Sequence, residues 1–331
     1  MRDAGWPGGL MWAQVLTAPK RLVYKQVAIP KYNAHEVLVK VKTAAICNGS
    51  DPSIYDGQEA YPPPFVFGHE PFGEIVARGD EVEGFEKGDK VCWWFSLGAF
   101  AEYVAVDPAK VVMVRVPESV PEHEAPILEL AAASVRAVKD TEIDSSSRVL
   151  ILGLGPSGLI MSQRAKILGA QKVIGWDLYP MRREKGLGLG CDAVFDPRRQ
   201  DVVRETRACL EEADVIIDAM GNDALPGEPT LDYALRILKR GGKIVSYGHP
   251  SRGRRFDPFL FQGKNAVICP PEQDLRKIRE MMAKSLEDVV HGLLKLRPLV
   301  SSIIPLSQVA RGLAMARNHP DKYLKVIVEI D

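Results

Sequence analysis

Two groups of residues in this chain have types and spacings that could do chemistry. The first is Gly153-Leu154-Gly155-Pro156-Ser157-Gly158, a G-x-G-x-x-G run. As a phosphate loop, Gly153 permits the tight turn, Gly155 lets the backbone approach a pyrophosphate, and Gly158 lets helix and strand pack closely. Pro156 and Ser157 complete the loop, where a helix N-terminus would offer unpaired N–H groups to the phosphates. Asp177 lies about 20 residues past the last loop glycine, the place of the acid that hydrogen-bonds adenosine ribose hydroxyls. A carboxylate there repels a 2′-phosphate, which favours NAD over NADP. Arg182 and Arg183 follow closely. Arg182 either contacts the ribose edge or softens that preference, and the bland alternative is a solvated basic turn. The second group is Cys47 and His69, side-chain types that zinc takes at Zn–S ~2.3 Å and Zn–N ~2.0 Å. A single Cys is also, on its own, a small buried hydrophobe.

These residues need particular elements around them. The apolar run 148–152 before the glycine loop reads as a buried parallel strand. Residues 159–169 after it have helical spacing and a glycine stop. Residues 172–177 read as a second strand with Asp177 at its end, 193–196 as a strand tip and 214–221 as another buried strand. An amphipathic helix over 231–239 is expected to stop at Arg240-Gly241-Gly242, with a strand over 243–248. Gly221 and Gly248 then fall at strand carboxyl ends, where a dinucleotide crosses; otherwise they are simple turn glycines. Alternating apolar strands and helices predict a doubly wound parallel sheet. Residues 11–126 read instead as strands and turns, with 36–42 and 91–95 the clearest strands. Cys47 and His69 each sit beside a strand-like run. Beyond Pro270-Pro271, residues 272–294 read as a long helix, and 299–305 and 323–330 as strands.

The bulk numbers exclude several classes. The chain has 331 residues, 46% of them hydrophobic, enough for two domains. Lys+Arg and Asp+Glu both number 43, so there is no basic bias toward nucleic acid or membrane. No apolar run reaches the ~20 residues of a membrane span. Residues 1–10 are Gly-rich and poor in apolar residues, unlike a signal peptide, and read as a tail. The five cysteines are odd in number and widely spaced, which argues for a reducing, cytoplasmic setting.

Gly68-His69-Glu70-x-x-Gly73-x5-Gly79-x-x-Val82 resembles the signature of the zinc-containing medium-chain alcohol and polyol dehydrogenases, the sorbitol and threonine dehydrogenase group. The resemblance runs over nearly the whole chain from Met11. It implies an α/β protein with a GroES-like, β-rich catalytic domain and a Rossmann domain carrying the doubly wound parallel sheet, and an active site in the cleft between them. The catalytic domain is expected over 1–130 and 271–331, and the NAD-binding domain over 131–270. Residues 126–135 resemble the family's segment that supplies the third metal ligand, which would be Glu129. A carboxylate in so apolar a run needs a partner, and a metal would be one; its alternative is an acid placed at a helix start. Ser50 matches the hydroxyl that takes the substrate proton, and Glu70 the acid that approaches the metal when its water shifts.

Three departures stand out. One extra residue separates Cys47 from Ser50. Ser53 or Ile54 occupies the place of the relay histidine, so the proton would leave by a shorter relay, by water, or through Asp51 or Tyr55. The four-cysteine lobe is missing, so one catalytic zinc ion and no structural zinc are expected. The reading is NAD-dependent oxidation of a secondary alcohol or polyol, or reduction of its ketone, with a small-molecule substrate, no nucleic-acid or membrane partner, and a homodimer or homotetramer. Tyr55, Trp93, Trp94 and Phe95 are pocket candidates, though aromatics near strands are commonly core. The rival readings are a zinc-free, quinone-reductase-like enzyme, favoured by the extra residue, and a non-catalytic NAD-binding protein.

Overall fold

The computed structural model describes residues 8–94, 96–221, 229–248 and 255–331. Phe95 and most of the expected N-terminal tail lie outside the described residues. The chain divides into two compact units, 1–132 with 274–290 and 296–331, and 133–273 with 291–295.

The first unit opens with β1 (Leu10–Ala18), β2 (Arg21–Ala28), β3 (Val37–Ala45), α1 (Ser50–Tyr55), β4 (Phe65–Val66), β5 (Glu70–Arg78), β6 (Lys90–Trp94), β7 (Tyr103–Val106), β8 (Val112–Arg115) and the start of α2 (Ile127–Ala137). The second unit carries β9 (Arg148–Leu152), α3 (Pro156–Ile167), β10 (Lys172–Trp176), α4 (Pro180–Gly188), β11 (Ala193–Phe195), α5 (Val202–Leu210), β12 (Ala213–Asp218), α6 (Thr230–Ile237), β13 (Leu238–Ser246), α7 (Pro258–Lys264) and β14 (Val267–Cys269). The chain then returns to the first unit with α8 (Leu275–Val290), β15 (Val300–Pro305), α9 (Val309–Asn318) and β16 (Lys325–Glu329).

In the first unit a small sheet runs β2-β1-β4, and a larger one runs β15-β16-β3-β5-β6-β8 with β7 also paired to β3. Inward residues of β3 (Val37, Val39, Val41) meet Phe67, Trp93 and Phe100 in a closed apolar core. This core fixes the strand ends that carry the metal candidates. The return segment is integral to it: β16 pairs antiparallel with β3, placing Ile327 opposite Ala45. β3 in turn places Ala45 opposite Glu70 of β5. Trp93, a pocket candidate, is part of this core and 1% exposed, with its indole N–H donating to Ser96 Oγ at 2.7 Å.

The second unit is a six-stranded sheet in the order β11-β10-β9-β12-β13-β14. Every neighbouring pair is parallel. The order reverses between β9 and β12, the switch point outside which doubly wound sheets bind ligands. Two local differences from the sequence reading have clear causes. The helix ends at Ile237, because Leu238 turns directly into extended backbone, and β13 begins there. It pairs first through Leu238 with Ala213 and then, after an irregularity, through Lys243 with Val215. Gly241 (φ +77°) lies within that irregularity. The long helix is also shorter than 272–294. Pro270 and Pro271 precede its start, and Gly292 (φ +71°) follows its end.

Candidate metal centre and dinucleotide loop

β3 stops at Ala45, and the Ile46 N–H donates to Val326 O at 2.9 Å, so the chain reaches Cys47 on a fixed path. The extra residue after Cys47 is taken up in a bend at Asn48-Gly49, and α1 begins at Ser50. This short helix was not evident from sequence. Its first turn brings Asp51, fully buried, back toward the loop. Asp51 Oδ2 accepts the Cys47 N–H at 2.9 Å, and Asp51 Oδ1 lies 2.9 Å from His69 Nδ1. One carboxylate therefore spans both candidate ligands, and the insertion does not part them. His69 is aimed by the residue before it. Gly68 has φ +88°, and a Cβ there would meet the Phe100 ring at 2.6 Å, so only glycine makes this turn.

The outcome is a cluster in which a ligand atom each from Cys47, His69 and Glu70 lies within 4.8 Å of the others. Burial opposes the imidazolium, but the Asp51 carboxylate, with help from Cys47, holds the His69 pKa well above its usual value. Metal uptake there would release a proton. Asp51 Oδ1 faces Nδ1, so Nε2 would be the nitrogen offered to a metal, the arrangement of a carboxylate orienting a ligating histidine. A thiol, an imidazole and a carboxylate form the mixed S/N/O donor set of catalytic zinc, and these residues fit that ion. Asp51→Asn is expected to lower zinc affinity about 10–100-fold with the fold intact. Competition with a chromophoric chelator measures this, and an unchanged affinity would remove Asp51 from the site's support.

Glu129, in the first turn of α2, is 4% exposed and stands outside that trio. Its carboxyl is pushed up to about 8, first by burial and then by the Glu70 charge, against the pull of His69 and Lys325. The sign follows by linkage. Near pH 4.5 and below, folded and unfolded chains both hold this proton. As pH rises toward 8 the unfolded carboxyl ionises first, so metal-free protein loses stability across that window. Glu129→Gln is expected to flatten the loss, read as urea midpoints of chelator-treated protein at pH 5 and pH 8. Equal slopes in parent and variant would exclude Glu129 as the cause.

Two neighbours were missed from sequence. Cys92 on β6 is buried against Glu129, and burial, followed by the Glu129 charge, pushes its thiol well above the usual range. It stays a neutral packing side chain. Lys325 on β16 is fully buried and pairs with Glu70. Burial alone would lower its pKa, but the Glu70 charge outweighs this and raises it. A lysine inside the apolar stretch 323–330 was the available signal. Of the other candidates, Ser50 opens α1 and is half-buried, while the Tyr55 hydroxyl donates to Lys20 O at 2.8 Å.

In the second unit the glycine loop joins β9 to α3. Gly155 is the N-cap, Pro156 follows inside the first turn, and no acid occupies that turn, so the helix N-terminus keeps its positive end. Gly153 has φ +88°. A Cβ on Gly158 would overlap the Gly153 carbonyl oxygen, and one on Gly248 would overlap that of Met220. Asp177 directly follows β10. Its two oxygens accept the Leu154 N–H and the Tyr179 N–H, each at 2.8 Å. Arg182 Nη1 is 3.8 Å from Asp177 Oδ2 and would lie 3.5 Å from a Cβ at Gly155. Its guanidinium sits over the Tyr179 ring at 5.1 Å. Arg183 donates to Asp177 O and Leu178 O at 2.7 and 2.9 Å and pairs with Asp196.

Comparison with known proteins agrees with these two units. The family models described as alcohol dehydrogenase GroES-like domain and zinc-binding dehydrogenase match residues 33–118 and 156–270. Sorbitol dehydrogenase of Bacillus subtilis (strain 168) is 27% identical, with 96% of this chain and 97% of the relative covered. L-threonine 3-dehydrogenase of Symbiobacterium thermophilum is 29% identical over 86% of this chain and 88% of its own. An alcohol dehydrogenase from Escherichia coli CFT073, solved in complex with NADH, has a TM-score of 0.84 and 26% identity, covering 97% of this chain and all of its own. With the glycine loop in one unit and the Cys47–His69 cluster in the other, the chain belongs to the zinc-type medium-chain alcohol and polyol dehydrogenases and is an oxidoreductase of that family.

Proposed function

We propose that the enzyme uses one zinc ion and NAD to oxidise a secondary alcohol or polyol carbon to the ketone, or to run the reverse reaction. The observation that carries this is the convergence of Cys47, His69 and Glu70 within 4.8 Å. Cys47, His69 and Glu129 would hold the ion, and Asp51 would orient His69. Bound there, zinc supplies a Lewis acid that stabilises a developing alkoxide, and NAD supplies the hydride acceptor. Ser50 would take the substrate proton. In the second unit Gly153, Gly155, Pro156, Ser157 and Gly158 would cradle the pyrophosphate, Gly248 would leave room for the cofactor to cross, and Asp177 and Arg182 would hold the adenosine ribose. In this reading 1–130 and 271–331 form the catalytic domain and 131–270 the NAD domain.

NAD is preferred over NADP because the Asp177 carboxylate opposes a 2′-phosphate. Of the two nearby cations that could favour it, Arg183 is engaged with two carbonyls and Asp196, and Arg182 lies 3.8 Å from the Asp177 carboxylate. A single zinc site is supported by five dispersed cysteines. All five are free thiols, which suits the cytoplasm. Among the described residues no helix is long and apolar enough to cross a membrane. We assign self-association, as a homodimer or homotetramer, to β14. It is a terminal strand of its sheet, with Val267 and Ile268 each 50% exposed. A monomer by light scattering would refute that.

The test is metal analysis beside NAD reduction over a panel of secondary alcohols and polyols. One zinc per chain, turnover lost on chelation and restored by zinc, and a higher kcat/KM with NAD than with NADP are expected. A metal-free parent with unimpaired turnover would overturn the proposal.

A further inference from the structure

The short helix α1 is gripped at the end away from its chemistry. Its first turn carries Ser50 and the buried Asp51, and its C-cap is Asp56. Arg317, in the last turn of α9, reaches Asp56 with both arms of its guanidinium. Nη1 donates to Oδ1 at 3.2 Å and Nη2 to Oδ2 at 2.8 Å. These bonds hold the Asp56 carboxyl below its usual value against the opposing effect of burial. The partners lie 261 positions apart in the chain. α9 is itself a fixed reference for the metal loop. Its Val309, Leu313 and Ala316 belong to the apolar core that also takes Ile46 and Ile54. A Cβ on Gly312 would come within 2.4 Å of Ile46 Cδ1, and Ile46 is the residue before Cys47. One helix thus touches both the approach to Cys47 and the far end of α1.

As a stability device the pair is weak, because Arg317 is 51% exposed and such ion pairs contribute little. A two-point fork fixes orientation as well as distance, and α1 needs that. It is six residues long, too short to hold itself in place, and its N-cap Gly49 supplies no side-chain bond. Tyr55 ties it to Lys20, which lies in the exposed turn between β1 and β2. Arg317 ties it to a helix packed on the core. With a rise of about 1.5 Å per residue, α1 is one rigid turn and a half, so a displacement of Asp56 carries through to Ser50. We propose that Arg317 is a positioning residue: by gripping Asp56 it fixes α1 and so sets Ser50 where it can take the substrate proton. The inference rests on the reading of Ser50 and zinc given above.

Turnover of sorbitol, 2,3-butanediol and 2-butanol with NAD, in excess zinc, tests it. Arg317→Met keeps an aliphatic stem and removes the fork. It should lower kcat about tenfold on whichever of these the parent oxidises fastest, since misplacing a reacting group by about 1 Å costs up to about a hundredfold. KM, NADH affinity and zinc per chain should stay parental. The solvent deuterium isotope effect on kcat should exceed the parent's, because proton removal now limits the rate. Asp56→Asn keeps the shape and removes the charge. It should reproduce these changes, and it carries the test if Arg317→Met does not fold. Added to Ser50→Ala, Arg317→Met should change kcat less than about twofold, because residues acting through one step do not add. Parental kcat in both Arg317→Met and Asp56→Asn would overturn the proposal. So would the full tenfold loss in the Ser50→Ala background, since the pair would then be a strut acting independently of Ser50. Parental kcat in Ser50→Ala itself, or a parent that oxidises none of the three alcohols, would instead overturn the reading on which the proposal rests.

Discussion

His69→Ala is expected to release the bound zinc and to lower kcat/KM by about a thousandfold or more. A Lewis acid contributes several kcal/mol to stabilising the developing charge, and each ~1.4 kcal/mol is a factor of ten in rate. The substitution also leaves Asp51 buried without the ring it faces at 2.9 Å. Some loss of stability should therefore accompany the loss of metal, because an orphaned buried carboxylate is costly. NADH affinity, read by fluorescence titration, should hold, since the glycine loop belongs to the other unit. Zinc retained at the parent's stoichiometry, with activity lost, would show that His69 acts as something other than a ligand.

The second large effect is expected at Gly158. A methyl group there would occupy the space of the Gly153 carbonyl oxygen and crowd its carbon. Neither atom belongs to a flexible side chain, so the clash is relieved only by moving the turn or the start of α3. Gly158→Ala should cost roughly 2–4 kcal/mol and weaken NADH binding at least tenfold, since the loop's N–H groups would no longer converge on one phosphate position. Zinc content should be unchanged, which makes this variant the mirror of His69→Ala. Thermal melts and the same titration check it. A variant with parental affinity would mean that the loop tolerates displacement, and that the pyrophosphate is held by other groups.

The sequence announced the second unit more fully than the first, for a physical reason. Its contacts are local, so strand, turn and helix follow one another with their periodicities intact, as at 148–177. That alternation implied a doubly wound parallel sheet, while its sixth strand, the three-residue β14, was too short to be read. The metal region was legible as residue types, Cys47 and His69, but not as geometry. α1 is six residues long and carries Pro52, so no amphipathic period betrayed it. Asp51 sits two residues past an irregular bend, and its bridge from Cys47 to His69 depends on a tertiary fold of the loop. Lys325 acts on residues 255 and 279 positions away. No local pattern connects such distant partners, and a cation in an apolar strand was the one visible hint. At the other boundary the helix over 231–239 was overextended, because Leu238 and Lys239 suit a helix and only sheet pairing draws them into β13.

The place of β16 in the chain has a consequence for how the protein is made. The strand lies between β15 and β3 in the finished sheet, yet it leaves the ribosome after the whole nucleotide unit. The nucleotide unit, with its near-contiguous sequence, can consolidate while the metal-bearing unit still lacks an interior strand. Non-local pairing of this kind is slow, and an unpaired strand edge invites aggregation in the interval. The unclaimed edge is β3, the strand that leads directly into Cys47. Until β16 arrives, Glu70 has no ammonium partner and the Cys47 loop lacks its hydrogen bonds to Val326 and Lys325. Maturation of the metal centre should thus wait for β16 to emerge, and zinc supplied earlier would meet ligands that are not yet held in place.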